Sequence, residues 1–550
     1  MTTVHAYGLY NNASGLPMSL AEILQDLNSA RIIGVDTECV SLEDKSLIGL
    51  ALAPRPDYAV WFTADSPYLW IALQILRDPN VAKVFHNSKF DYDVLEHLGI
   101  DERNFEDSEI LAYTLNFPQK LYNLAVHLGF AVPDKYLNFS FEKDQTMLEI
   151  FHKDPDFVAN KCCLDAYLSL RCWLNLSSNK IKSYEIDRDI VHILRRMEKR
   201  GVAVNQFSLM EFYYETKEKV DYMRELITTK GCDPNSNQQV GIVLAQKGHR
   251  LPYTKSRTQL KVDEKTLQGI DDPLAQSVLI YREKAKLLNT YIKPLLGLDR
   301  AYTHYNNTRV VTGRLSSSNP FNMQNIPEYF REVFIADDMF YSLDASQIEL
   351  RTIAYLAQDR VMLEAFRNGE DIHEVTNKRL GLNNRKIAKT LNFAVAYLGE
   401  EQTVAENAYK AGVYLTPQQA TDFRRRYFQT YSGIRDYIHS QREWIIKYGY
   451  VTTLYGRVRR ADPTRMTDPH SRETVIREMF NMPVQGTAAE IIKMMMARAK
   501  KFDLRIQVHD EMVYDGTCPP PSMFSAIAPF DIPLSLKVGE NWGELTKVSY

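Results

Sequence analysis

Three acidic residues stand where they could do metal-dependent chemistry. Asp344 closes the run Tyr341-Ser342-Leu343-Asp344, and Asp510 and Glu511 fall between the alternating apolar positions of Ile506-Gln507-Val508 and Met512-Val513-Tyr514. The pattern predicts a strand that delivers Asp344 to its end, then a helix with Ser346 as its cap, and far downstream a β-hairpin with acids at its turn. Two carboxylates on neighbouring strand ends suit a two-metal site. Phosphoryl transfer needs in-line placement and neutralised oxygens, and two Mg²⁺ ions about 4 Å apart supply both. Taken singly, a strand-end Asp is more often a turn or cap residue.

A second pattern raises the odds. Arg385, Lys389, Phe393 and Tyr397 recur every fourth position in Arg385-Lys386-Ile387-Ala388-Lys389-Thr390-Leu391-Asn392-Phe393-Ala394-Val395-Ala396-Tyr397. On a helix they form one slowly drifting stripe. Two cations followed by two rings suit the phosphates, sugar and base of a nucleoside triphosphate. The plainer reading is a solvated basic face running into an aromatic core face. The N-terminal part carries another acidic set: Asp36 and Glu38 after the apolar strand Ile32-Ile33-Gly34-Val35, Asp91 beyond the strand at Val84-Phe85, and Asp165 on a later helix. Each alone is an ordinary surface acid. Four acids from three segments converging on two metals would activate water against a phosphodiester.

The elements that must position these residues are legible in outline. The first part alternates short strands with helices: Ile32–Asp36, a hairpin over Leu47–Phe62, Val84-Phe85, a helix around Asp91–His97 and the apolar segment Ala166–Leu176. That is an α/β domain. Ser177–Ser183 reads as a linker. Ile186, Ile190, Ile193, Leu194 and Met197 then mark a helix that Gly201 is placed to stop. A mostly helical stretch to about residue 300 is interrupted by a basic segment with Lys247, Arg250, Lys255, Arg257 and Lys261, which alone reads as a solvated loop and, beside a phosphoryl-transfer site, as one that grips phosphates.

Bulk properties bound the answer without deciding it. A chain of 550 residues is too long for one core and implies several structural units. A hydrophobic share of 45% and a charged share of 25% are those of a globular protein. No apolar run approaches membrane-span length, and Arg31, the first basic residue, comes too late for a signal or transit peptide, so a cytoplasmic location is expected. The six cysteines form no CxxC pair, which argues against zinc ribbons and redox motifs. A net charge of −3 neither supports nor excludes a nucleic-acid partner, because cations along a phosphate path and carboxylates at metal sites cancel globally.

Taken together, Thr312-Gly313-Arg314-Leu315-Ser316-Ser317-Ser318-Asn319-Pro320, Gln324-Asn325-Ile326-Pro327, the segment around Asp344, Asp371-Ile372-His373, the helix from Arg385, Gln485-Gly486-Thr487-Ala488-Ala489-Glu490 and His509-Asp510-Glu511 resemble, in order, the motifs of family A DNA polymerases. The resemblance runs from about residue 186 to the C-terminus. The acids Asp36, Glu38, Asp91 and Asp165 resemble the DEDD 3′→5′ exonuclease domain of the same enzymes over residues 1–185. It implies a multi-domain α/β chain: a ribonuclease H-like exonuclease domain, then a right-hand polymerase over 186–550. The thumb would cover about 186–300, an antiparallel-sheet palm 301–365 and 440–550, and the fingers 366–439, with thumb and fingers helical.

The same resemblance assigns roles. Asp344 and Asp510, with Glu511 close by, would hold two Mg²⁺ ions, and Asp36, Glu38, Asp91 and Asp165 two more. His373, Arg385 and Lys389 would bind the triphosphate of a dNTP, with Lys389 also protonating the leaving pyrophosphate. Gln347, Phe393 and Tyr397 would shape the nucleotide pocket, and Glu349 would exclude a ribose 2′-OH. Arg314, Gln324, Asn325, Asn481, Gln485 and His509 would touch primer-template DNA, where donors reading minor-groove acceptors check pair geometry. A monomer is expected, with a replisome helicase-primase or single-strand binding protein as further partners. A single-subunit RNA polymerase is the rival enzyme, and Glu349 opposes it. An inactive DNA-binding scaffold is the rival outside enzymology, and the intact acids and cations oppose that.

Departures from the family pattern are few. Ala345 replaces a usual Tyr, Ala394 a usual Gly, and Leu398 precedes Gly399. In the exonuclease part, Lys161 stands where the family has the Tyr that orients the attacking water. A solvated lysine is the plainer expectation there and one that orients the hydroxide the sharper, with hydrolysis retained but slower. No 5′-nuclease segment precedes the proofreading part and the thumb has no large insertion, so a compact phage-type replicative enzyme is expected.

Overall fold

The computed structural model describes residues 4–8, 19–254, 256–382, 384–396, 401–410 and 412–548. Two sheets organise it. The first has six strands in the order Val4–Gly8, Tyr58–Thr63, Leu47–Arg55, Ile32–Cys39, Ala82–Phe85, Phe105–Asp107. The first four are mutually antiparallel and the last three parallel. The central strand Ile32–Cys39 is wholly apolar in its first half because both faces are covered. It runs three residues beyond the sequence expectation, carrying Asp36 and Glu38 within the strand rather than after it. Pairing with Leu47–Arg55 continues through Glu38 and Cys39, and this ladder sets the true end.

The helix Pro155–Leu176 crosses that sheet, with Asp154 capping Phe157 N–H. It comes so close to the central strand that a Cβ on Gly34 would collide with the carbonyl of Ala166. Gly34 therefore sets the distance at which Asp165 faces Asp36. The expected linker Ser177–Ser183 is a 3-10 turn, Ser177–Asn179, leading into a helix from Lys182. The helix expected from Ile186 to Gly201 is two helices, Lys182–Asp189 and Val191–Arg200, broken at Ile190. Gly201 ends the second at φ 59°.

The second sheet is antiparallel, in the order Asp503–Val508, Glu511–Asp515, Phe334–Ala345, Leu534–Asn541, Thr546–Val548, with Val202–Val204 on the far end of the long central strand. Behind it lies the 30-residue helix Pro469–Arg498. A separate helical core gathers Leu350, Ile372, Leu391, Tyr427 and Phe480. A third assembly packs the helices Gln206–Thr228 and Pro273–Lys286. The basic segment after Gln246 is partly neutralised: Lys247 binds Asp272 at 2.9 Å and Lys261 binds Asp263 at 3.0 Å, while Lys255 lies outside the described residues.

Buried charge sits where the two halves meet. Arg457 donates to Asp187 Oδ2 at 2.6 Å and to Glu490 Oε1 at 3.1 Å, and Lys493 donates to Asp187 Oδ1 at 2.7 Å. All four side chains are at most 1% exposed. The Arg457 guanidinium also lies over the ring of Tyr113, whose hydroxyl donates to the carbonyl of Val310. Arg195, from the second half, reaches Asp93, Glu102 and the Tyr92 carbonyl of the first. Two cations and two carboxylates balance, so no charge in the quartet is left uncompensated. Removing one member breaks that balance. Arg457→Met is expected to lower unfolding free energy by about 3–5 kcal/mol, measured by urea denaturation of the full chain.

Candidate active sites

The antiparallel register creates the first site. Asp344 pairs directly opposite Glu511, and the Ala345 N–H donates to the Asp510 carbonyl at 3.1 Å. Asp510 follows His509, which makes the hairpin turn at φ 53°. The three acids thus meet at one rim of the sheet as the alternating pattern predicted. Burial lifts the Asp344 carboxyl above the ordinary range, and the charges of Asp510 and Glu511 add to it, with Lys537 offsetting part. Asp510 is raised by burial, against the pull of Arg314. Carboxylates held together and half-buried at a site of repulsion match the donor set of divalent cations. Ser342, two residues before Asp344, donates to Glu511 Oε1 at 2.6 Å and fixes that side chain. Sequence reasoning missed Ser342, although its spacing from Asp344 put both on one face.

The expected cap is not Ser346. The helix Ile348–Leu356 begins at Gln347, which sits at φ 56° with no side-chain cap bond. The Ser346 carbonyl instead accepts from Arg351 Nε at 3.1 Å, and its N–H donates to the Pro533 carbonyl, so its backbone ties the strand end to the next strand. Glu349, in the helix's first turn, is ion-paired with Arg314. Burial pushes its carboxyl up to about 6, Arg314 pulling the other way.

The helix Arg385–Ala396 carries the predicted stripe only in part. Arg385 and Lys389 are exposed. Arg385 is engaged by Asp371, with Nε at 3.0 Å from Oδ2. Asp371 also caps the helix Ile372–Leu380 through the His373 N–H at 2.8 Å. Tyr397 and the side chain of Phe393 lie outside the described residues. His373 is buried, its Nδ1 is 2.9 Å from Asn392 Nδ2, and burial pushes its imidazole down to about 4. The ring is therefore neutral at pH 7, and the Asn392 amide donating to Nδ1 leaves Nε2 as its donor. Asn392, also bonded to Thr376, was not anticipated; it lies within the quoted helix but off the stripe.

Arg314, Gln324 and His509 line one small cavity with Gln507 and Lys493. The Gln324 side chain donates to the Gln507 carbonyl at 3.2 Å. Asn325 is exposed, and its carbonyl accepts from Tyr291. Asn481 and Gln485 stand half-buried on the long helix outside that cavity, Asn481 with its Oδ1 unpartnered among the described residues. Gly486 lets this helix approach Thr312, whose carbonyl would lie 2.9 Å from any Cβ there.

The second site gathers the N-terminal acids. Asp36 and Glu38 come from the central strand, Asp91 from the helix Ser88–Val94 and Asp165 from the crossing helix. Thr37 donates to Asp91 Oδ1 at 2.8 Å. Burial raises the Asp36 carboxyl well above its ordinary range, and Asp165, Asp91 and Glu38 add to the effect. Ligand atoms of Asp36, Glu38 and Cys162 lie within 4.8 Å of one another. Asp165 also faces the hydroxyl of the adjacent Tyr122. Clustered carboxylates of this kind are a donor set for a hard cation.

Lys161 corrects the sequence reading. It is not solvated: its ammonium donates to Glu38 Oε1 at 2.9 Å and Asp165 Oδ2 at 2.8 Å, and its side chain is 18% exposed. Its four-residue spacing from Asp165 on one helix was the overlooked signal.

With this geometry in place, comparison with known proteins divides along the same line. Residues 208–526 match the family described as DNA polymerase family A, and residues 17–149 the family described as 3'-5' exonuclease. The chain belongs to DNA polymerase family A and carries a 3'-5' exonuclease domain. It is 29% identical to DNA polymerase I of Chloroflexus aurantiacus, covering 96% of this chain and 63% of that protein. It is 33% identical to the thermostable DNA polymerase I of Thermus thermophilus, covering 65% and 48%. The chain thus spans a little under two thirds, or less, of these curated relatives' length. The fold matches the POL domain of Pol1 from M. smegmatis, solved in complex with DNA primer-template and dNTP, with TM-score 0.79 over 96% of this chain and 98% of that one at 23% identity.

Gly34→Ala is expected to force strand and helix apart at Asp36 and Asp165, costing about 1–3 kcal/mol in thermal or urea unfolding.

Proposed function

We propose that this chain is a template-directed DNA polymerase that extends a primer 3′ end with dNTPs and removes mispaired ends through its exonuclease domain. The meeting of Asp344 and Asp510 at adjacent strand ends carries the reading. Residues 1–185 serve as the exonuclease domain and 186–550 as thumb, palm and fingers in the ranges read from the sequence.

Two Mg²⁺ ions at the first site, when bound, neutralise charge on the reacting phosphate oxygens. Asp344 and Asp510 hold them, with Glu511 beside them and steadied by Ser342. Arg385 and Lys389 receive the triphosphate, and Lys389 gives a proton to the leaving pyrophosphate. The neutral His373 donates from Nε2. Gln347, Phe393 and Tyr397 shape the pocket, and Glu349 excludes a ribose 2′-OH. Arg314, Gln324, Asn325, Asn481, Gln485 and His509 take the primer-template. In the exonuclease domain Asp36, Glu38, Asp91 and Asp165 surround the bond to be hydrolysed.

The setting is the bacterial cytoplasm, whether or not phage-infected, consistent with the bacterial relatives. The phage-type role gains nothing from them. A helicase-primase or single-strand binding protein is a candidate partner at a replication fork.

Primer extension on matched and mismatched ends tests both sites in one assay. Asp344→Asn is expected to slow extension by about three orders of magnitude, the equivalent of ~4 kcal/mol, while degradation of a mismatched 3′ end continues. Asp36→Asn is expected to do the reverse. Wild-type rates for either variant at its own site contradict the assignment. Glu349→Ala is expected to raise ribonucleotide incorporation relative to deoxyribonucleotide, read from rNTP and dNTP extension in parallel.

A further inference from the structure

The exonuclease acids enclose a cation of the chain's own. The Lys161 ammonium lies between Glu38 and Asp165, donating to an oxygen of each, on the helix whose approach Gly34 permits. These are the oxygens that an ion bridging the same two carboxylates would need. The other pole of the cluster offers further oxygen donors. Asp165 faces the Tyr122 hydroxyl, Asp36 and Glu38 share a neighbourhood with Cys162, and Asp91 Oδ1 accepts from Thr37.

Charge counts in the same direction. Four ionised carboxylates are balanced by two dications. With the ammonium included, one dication leaves a single negative charge, whereas two leave an excess positive charge before any substrate enters. A second ion at the Glu38–Asp165 position must also break both of the lysine's ion pairs, in a pocket where lost pairing is costly.

We propose that Lys161 is a tethered substitute for one metal ion, so that the exonuclease site of this chain holds a single divalent cation rather than a pair. The inference rests on reading the N-terminal site as a metal-dependent exonuclease. Lys161 acts through Glu38 and Asp165 and is a positioning residue. It keeps the two carboxylates together, as a bridging ion would, but cannot supply an ion-bound hydroxide.

Mn²⁺ binding to the full chain separates the possibilities. The polymerase pocket is first silenced by Asp344→Asn with Asp510→Asn, and bound ions are counted from loss of the free-Mn²⁺ electron paramagnetic resonance signal. The expected result is one ion per chain with Lys161 in place and two with Lys161→Met, that pair giving a spin-coupled spectrum. Asp36→Asn in the Lys161 background is expected to abolish the single ion. Two ions with Lys161 present, or one ion in Lys161→Met, overturns the proposal. If Lys161→Met does not fold, the count and the presence or absence of spin coupling in the Lys161 protein decide alone. No bound Mn²⁺ with either residue overturns instead the metal-dependent reading on which the proposal rests.

Discussion

Like charges do not gather unless something holds them, and in the second half of this molecule the holder is strand register. Asp344 faces Glu511 because Phe340 faces Asp515 and each pair between keeps step. Side chains alternate along a strand, so a slip of one residue would send Asp344 to the opposite face of the sheet. The long central strand is braced on both sides, by Glu511–Asp515 and by Leu534–Asn541, and its far end is anchored by Val202–Val204. The sheet's many apolar contacts and backbone hydrogen bonds offset the repulsion at its rim. The N-terminal site solves the same problem differently: acids from a strand and two helices are brought together by a close helix crossing, and an internal lysine absorbs part of the charge.

Two such sites in one chain need a fixed relation, and polar groups provide much of it. The quartet of Asp187, Arg457, Glu490 and Lys493 ties the helix at the module junction to the long helix behind the second sheet. Buried ion pairs add little net stability over apolar packing, but they tolerate few geometries. The ring of Tyr113 beneath Arg457 extends that constraint into the first module. The relation between the two sites is thereby set by a joint that resists sliding.

The sequence disclosed whatever depends on local pattern. The strand ends at Asp344, the hairpin at His509-Asp510, the Leu47–Phe62 hairpin and the exposed cations Arg385 and Lys389 follow from periodicity and residue type. What it hid depends on partners distant in the chain. The strand Ile32–Cys39 outruns its apolar core because a neighbouring ladder continues to pair with it. Ser346 reads as a cap, yet its backbone groups are claimed by Arg351 and Pro533. Lys161 looks solvated until two carboxylates from elsewhere close over it. Asn392 sits beside the every-fourth-residue stripe but outside it, and nothing local marks it as the residue that fixes the His373 tautomer.

Arg385 and Arg314 each already hold a carboxylate, Asp371 and Glu349 respectively. On the polymerase reading, a phosphate that reaches Arg385 does not fill a bare charge; it takes the place of Asp371. The gain is then the difference between two pairings, not the whole strength of one. A monovalent anion offers the guanidinium little that the carboxylate does not. A tetravalent triphosphate offers more charge and more oxygens. On that reading Asp371 would work as an internal competitor, and the pocket would sort its visitors by valence before any base pair formed.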